Sequence, residues 1–137
     1  MDVENAVYPT APRVEALMAD DSGDPVVMLN LLKFRATAVY PDGRPTDLTG
    51  RQAYDLYATA MQKVIEENGG KVLFGGDIAS LVIGEVGDLL DTCILVEYPS
   101  AAAFAAIVTS PEVAEIGVHR AAGLEGQLLI RATQLAL

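Results

Sequence analysis

Apolar residues in this chain fall into short, dense runs separated by turn formers, and the densest run governs the reading of the rest. Pro25-Val26-Val27-Met28-Leu29-Asn30-Leu31-Leu32-Lys33-Phe34-Arg35 is too short and too uniformly apolar for a surface helix, and a proline opens it. The pattern predicts a strand buried on both faces. Alternation places Val27, Leu29 and Leu31 on one side, and Val26, Met28, Asn30, Leu32 and Phe34 on the other. Asn30 interrupts the apolar series. An amide at that depth costs a few kcal/mol unless its hydrogen bonds are met, so it has a partner in protein, water or ligand.

On either side of this strand the pattern is more mixed. Residues 1–24 predict an arm and a short helix, with Thr10 at the cap, Pro12 in the first turn, and Val14, Leu17 and Met18 on an apolar face. Asp20-Asp21-Ser22-Gly23-Asp24-Pro25 breaks that helix, and residues 25–137 read as a single domain. Ala36 to Leu48 carries Tyr40-Pro41-Asp42-Gly43-Arg44-Pro45, an irregular segment that reads either as a lid or partner contact, or as a solvated connector. Thr49-Gly50-Arg51-Gln52 fits a capping box for a helix running to Asn68, where Gly69-Gly70 stops it. Tyr54, Tyr57, Ala58, Met61, Val64 and Ile65 share one stripe of this helix, opposite Asp55, Gln62, Lys63, Glu66 and Glu67. Lys71 to Glu85 predicts a second strand with a bulge at Gly75-Gly76, paired in a hairpin with a third strand, Thr92 to Tyr98. Ser100 caps a helix with Phe104, Ile107 and Val108 inside. Ser110-Pro111-Glu112 starts another that ends at Gly123, before a last strand near Gln127–Arg131.

The resulting order (strand, helix, strand, strand, helices, strand) predicts a ferredoxin-like α+β fold, βαββαβ, with a four-stranded antiparallel sheet and helices on one face. Such an arrangement leaves the other sheet face bare. Because the first strand is apolar on both sides, the bare face predicts a homodimer in which two sheets close into a dimeric α+β barrel.

Composition narrows the partners. The chain has 137 residues, which suits one domain, and its 51% hydrophobic content argues against disorder. No apolar run reaches the ~20 residues of a membrane-spanning helix. Met1-Asp2-Val3-Glu4-Asn5 lacks the basic and apolar regions of a signal peptide, and Cys93 is the single cysteine, so a cytoplasmic location without disulfides is expected. Nineteen acids against nine bases give a formal charge of −10, a field expected to repel nucleic acid and anionic membranes. Against that background, any buried Arg or Lys is informative.

Five segments carry a resemblance. Asn30-Leu31-Leu32-Lys33-Phe34, the Tyr54-x-x-Tyr57 pair, Glu97-Tyr98-Pro99-Ser100, Ser110-Pro111-Glu112 and His119-Arg120-x-Ala122 resemble, in order and spacing, the family called domain of unknown function 1330. The similarity spans about residues 25–131. Two departures stand out: Val113 occupies a position that is usually aromatic in the family, and the chain has no tryptophan, which thins any stacking platform for a flat ligand. The resemblance implies a dimeric α+β barrel with a site in the cleft between sheet and helices of each protomer. The wider superfamily includes cofactor-independent monooxygenases, haem-degrading enzymes, lactone isomerases and haem peroxidases, so it selects no single chemistry.

The site candidates each admit two readings. Asn30 either orients a ligand or ties the strand to a neighbour. His119, the only histidine, either moves a proton in the cleft or sits on a solvated face with Glu112 and Glu115. Arg120 shares the inward face of Val113 and Ile116, and either pairs with an internal acid such as Glu97 or holds a ligand carboxylate. Arg131 faces the same choice. Tyr54 and Tyr57 are core residues or hydrogen-bond donors to a ligand. Cys93 reads as a core thiol. The expectation is a cleft in which His119 and Tyr57 act catalytically and Asn30, Arg120 and Tyr54 bind, with no metal and no resident cofactor. Three readings remain: a homodimer binding a small organic molecule, as a cofactor-free oxygenase or isomerase acting on it; a non-catalytic binding or scaffold module; and a haem-handling protein that depends on His119.

Overall fold

The chain runs α1 (Ala11–Ala19), β1 (Val26–Phe34), α2 (Gly50–Glu67), β2 (Lys71–Asp77), β3 (Thr92–Tyr98), α3 (Ala101–Val108), α4 (Pro111–Gly123) and β4 (Leu124–Ala132). The computed structural model describes residues 3–20 and 22–137; Met1 and Asp2 of the acidic start, and Asp21 of the breaker cluster after α1, lie outside the described residues. The strands form one antiparallel sheet in the order β2-β3-β1-β4, so the most apolar strand takes an inner position. With the helices on one face this is a ferredoxin-like α+β fold.

Alternation along β1 sorts as the pattern requires. Val26 and Met28 enter a core with Met61 and Ile65 of α2, Val96 of β3 and Phe104 of α3, while Leu32 packs with Tyr54 and Leu124. Leu29 and Leu31 point to the opposite face. There they meet Leu95 and Cys93 on β3 and Ile130 and Leu128 on β4, all half-buried or exposed. Cys93 therefore lies on the open face of the sheet rather than in the core.

The capping box at Thr49 and Gln52 forms with both of its hydrogen bonds, 3.1 Å and 2.9 Å, and α2 ends at Asn68, followed by Gly69 at φ +83°. Ser100 and Ser110 cap α3 and α4 through their side chains. Thr10 does not do so for α1: it stands at the N-cap, but its hydroxyl makes no capping bond. That helix is held by packing against α3. Before it, the N-terminal arm bridges β4 through Ala6 and Gln127.

The second strand is shorter than its apolar run suggests. It stops at Asp77, opposite Thr92, and the bulge falls between Val72 and Phe74 rather than at Gly75-Gly76. Residues 78–91 form an irregular loop in which Val82 and Ile83 are nearly fully exposed. The loop is pinned at its base by Ile78 N–H to Asp91 O and Asp91 N–H to Leu32 O, both 2.8 Å.

Candidate functional site

A cavity of about 530 Å³ opens between the helix-side face of β1 and β4 and the inner sides of α1, α3 and α4. Met28, Leu17, Phe104, Val113 and Leu129 make most of its wall apolar. Asn30, Gln127, Thr109, Arg120 and the phenols of Tyr8, Tyr57 and Tyr98 are its polar groups, and among the described lining residues Arg120 alone is charged. A smaller recess of about 180 Å³ shares Asn30, Tyr57, Met61 and Tyr98 with it and extends under α2 to Tyr54 and Val72.

Asn30 is held firmly. Its Nδ2 donates to the carbonyls of Met28 and Ile94, each at 3.2 Å, and its Oδ1 accepts from Gln127 Nε2 at 2.8 Å. Gln127 in turn accepts at Oε1 from Arg120 Nε (3.1 Å) and Nη2 (2.6 Å), and Nη2 also donates to the Val7 carbonyl. A polar chain thus runs from the central strand through β4 to α4 and the arm. Arg120 is not paired with Glu97, which instead meets Lys71 at 3.7 Å on the sheet edge. The two carboxyl-bearing and guanidinium-bearing side chains leave opposite sides of the fold: Glu97 shares the open face with Val27, while Arg120 rises from a helix on the other. Arg131 does take an internal acid, Asp20, whose carboxyl is lowered to about 2 by hydrogen bonds from Arg131 and the Ser22 amide.

Tyr54, Tyr57 and Tyr98 stand around the recess, and burial pushes each phenol's pKa up. The Arg120 charge opposes the shift at Tyr54 and Tyr57, which places the guanidinium within electrostatic reach of both. Among the described residues none of the three hydroxyls has a hydrogen-bond partner, yet no enclosed side-chain polar atom is left unsatisfied, so these hydroxyls reach open space. Neutral phenols of this kind donate hydrogen bonds at physiological pH and do not act as bases.

The family profile described as "Domain of unknown function (DUF1330)" matches residues 44–133. The chain belongs to this family. RPA0582, a protein of unknown function from Rhodopseudomonas palustris, is similar over 98% of this chain and 100% of its own, with 34% identity and a TM-score of 0.87. The methylated form of RPA0582 gives 37% identity, 96% of each chain and a TM-score of 0.86. A protein from Thermobifida fusca described as dimeric, ferredoxin-like and of unknown function is similar in fold alone, at 17% identity over 85% of this chain and 96% of its own, with a TM-score of 0.50. No curated protein matches the chain.

His119 of this DUF1330 chain departs from the cleft reading. It lines neither cavity, and its Nδ1 is 2.8 Å from the Tyr40 hydroxyl, with the rings edge-on at 5.5 Å. It is not on a fully solvated face either, being half-buried against the segment between β1 and α2. Placed there, it does not suit haem ligation in the cleft. Among the described residues no group of His, Cys, Asp and Glu is arranged to hold a metal ion.

Three residues of the site went unnoticed in the sequence pattern. Gln127 alternates with Leu128 in the last strand, and strand periodicity marks it as an inward polar residue opposite Leu32. Tyr98 ends β3 on the helix side of the sheet. Gly117 sits mid-helix in α4 on the cavity wall, where an interior glycine is itself a signal.

Proposed function

We propose that this DUF1330 protein is a homodimer in which each protomer binds a small organic molecule in the cleft between sheet and helices. The observation that carries the reading is the cavity: its volume falls within the ~300–1,000 Å³ of small-molecule sites, its wall is mainly apolar, and Asn30, Gln127 and Arg120 are hydrogen-bonded into one polar stretch of it. Tyr57, and Tyr54 in the adjoining recess, are assigned as donors to a ligand oxygen, Asn30 and Gln127 as the frame that holds the polar stretch in place. In a cofactor-free oxygenase or isomerase the same phenols would stabilise a developing oxyanion. A pure scaffold predicts a filled cleft, so the open volume favours binding.

Dimerisation is supported by the apolar open face of the sheet and by the dimeric fold relative from Thermobifida fusca. No single helix among the described residues is long and apolar enough to cross a membrane, and the −10 charge supports leaving nucleic acid out of the reading.

A thermal-shift screen of small carboxylates and phenols tests the proposal, run on the unaltered protein and on Gly117→Phe. A methyl group built on Gly117 meets nothing within 4 Å, so a larger side chain there has room to grow into the cavity. At a hundred times its Kd a ligand adds about 2.7 kcal/mol, or roughly 10 °C for a domain of this size. The reading expects such a shift in the unaltered protein and its loss in Gly117→Phe. It is overturned if no compound shifts the unaltered protein, or if the filled variant responds equally.

A further inference from the structure

Arg120 is the point at which the cavity states a preference. Six of the chain's nine Lys and Arg side chains, Lys33, Arg44, Arg51, Lys63, Lys71 and Arg131, have a carboxylate within 4.0 Å. Of the other three, Arg13 and Arg35 are exposed, where water solvates their charge, whereas Arg120 is half-buried. In a protein with twice as many acids as bases, the most enclosed of the unpaired cations has only neutral partners among the described residues.

Its donors are also incompletely used. Nε and Nη2 are taken by Gln127 and the Val7 carbonyl, but Nη1 has no partner among the described residues. The Tyr8 ring sits 5.7 Å from the guanidinium carbon, so the arm and β4 together hold the fork in one place. A fixed guanidinium with an unused edge, at the wall of a cavity with no acid in its lining, is built to receive an anion.

We infer that the ligand of this cleft is an apolar monocarboxylate, its carboxylate on Nη1 of Arg120 and its hydrocarbon or aromatic body against Met28, Phe104, Val113 and Leu129. The inference rests on the cleft being a binding site at all. One cation in the lining matches one negative charge, since a dicarboxylate or a phosphate would bring a second charge into a wall with nothing to meet it. The 530 Å³ volume accommodates an aryl-alkanoate or a medium-chain fatty acid.

Isothermal titration with matched acid and amide pairs tests this: phenylacetate against phenylacetamide, and octanoate against octanamide, with adipate as the dicarboxylate. The pairs share shape and differ in charge, so the acid is expected to bind roughly ten- to a hundredfold more tightly than its amide, and more tightly than adipate. In Arg120→Gln the acid-to-amide ratio should fall to near one, and Arg120→Lys should restore part of it. Equal binding of acid and amide, or a preference that survives in Arg120→Gln, overturns the assignment of charge and leaves the cleft reading intact. Absence of binding by every compound overturns this inference, and the thermal-shift screen with phenols then decides whether the cleft reading falls with it. The ratio measured on the unaltered protein decides the matter even if Arg120→Gln does not fold.

Discussion

Gly117 occupies a position in α4 where a helix prefers almost any other residue. An interior glycine costs a helix about 0.5–1 kcal/mol relative to alanine, and nothing packs on this one to explain it. The space it leaves belongs to the cavity. Gly117→Ala is therefore expected to stabilise the protein by about that amount, raising the urea midpoint without changing the slope, while weakening any cleft ligand by crowding it. Loss of stability would mean that the backbone here depends on glycine for another reason. The three phenols make a second residue-scale expectation. Their folded pKa values lie above the unfolded value of about 10, so the folded state holds protons that the unfolded state releases, and stability falls as pH rises past about 10. Absorbance at 295 nm should show Tyr54, Tyr57 and Tyr98 ionising only as helical signal disappears; ionisation before unfolding would place their hydroxyls in bulk water. At this scale the sequence is informative about orientation and weak about partnership. Alternation in β1 is enough to turn Asn30 inward, but its partner Gln127 is 97 residues away and meets it only through the pairing of β1 with β4.

Elements were legible where local chemistry and burial agree. The capping box of α2, the glycines after it and the serines before α3 and α4 are local signals, and each marks a boundary the fold keeps. The loop after β2 shows the opposite case. Leu81-Val82-Ile83 has strand composition, but β3 starts at Thr92, opposite Asp77, so no neighbour remains to pair with it and the run stands exposed. The segment between β1 and α2 was open to two readings, and its burial is tertiary: Ala38 and Tyr40 pack on Ala53 and Ala122, Val39 N–H donates to Ala122 O at 3.0 Å, and Pro41 reaches the cavity wall. The crossing of α2 and α4 depends on two glycines. A methyl on Gly123 would clash with the Gly50 carbonyl oxygen and sit 2.8 Å from Tyr54 N, with backbone on both sides and no flexible group to yield. Gly123→Ala is expected to destabilise by about 1–3 kcal/mol in denaturant unfolding, and to disturb Tyr54 and the recess beside it. An effect under half a kcal/mol would show that the two helices separate freely.

For the whole molecule, the decisive feature is the contrast between the two faces of one sheet. The helix side is covered and carries the cavity; on the other side Leu29, Leu31, Leu95, Leu128 and Ile130 form a continuous apolar surface, extended by Phe74 lying over Gly76. A surface of that kind on a lone protomer favours association, and a second copy brings an identical surface related by a two-fold axis. Leu95 sits in β3 between Leu29 on one neighbour and Phe74 on the other, so its side chain marks the middle of the patch. A glutamate at this position is harmless to a separate protomer, where it faces water, and costly in a dimer, where two carboxylates would be enclosed without partners. Leu95→Glu should therefore shift the mass in sedimentation from dimer to monomer at micromolar concentration while circular dichroism stays unchanged. Cys93, two residues away on the same face and half-buried, supplies an independent readout. Its reaction with a thiol reagent should be slow in the unaltered protein and speed up in the variant as the covering copy leaves. A dimer that withstands Leu95→Glu with Cys93 still protected would move the interface elsewhere. A monomeric unaltered protein would leave the apolar face of the sheet without an occupant. Either result would separate the question of assembly from that of the cleft, because Arg120 and its cavity lie on the opposite side of the sheet.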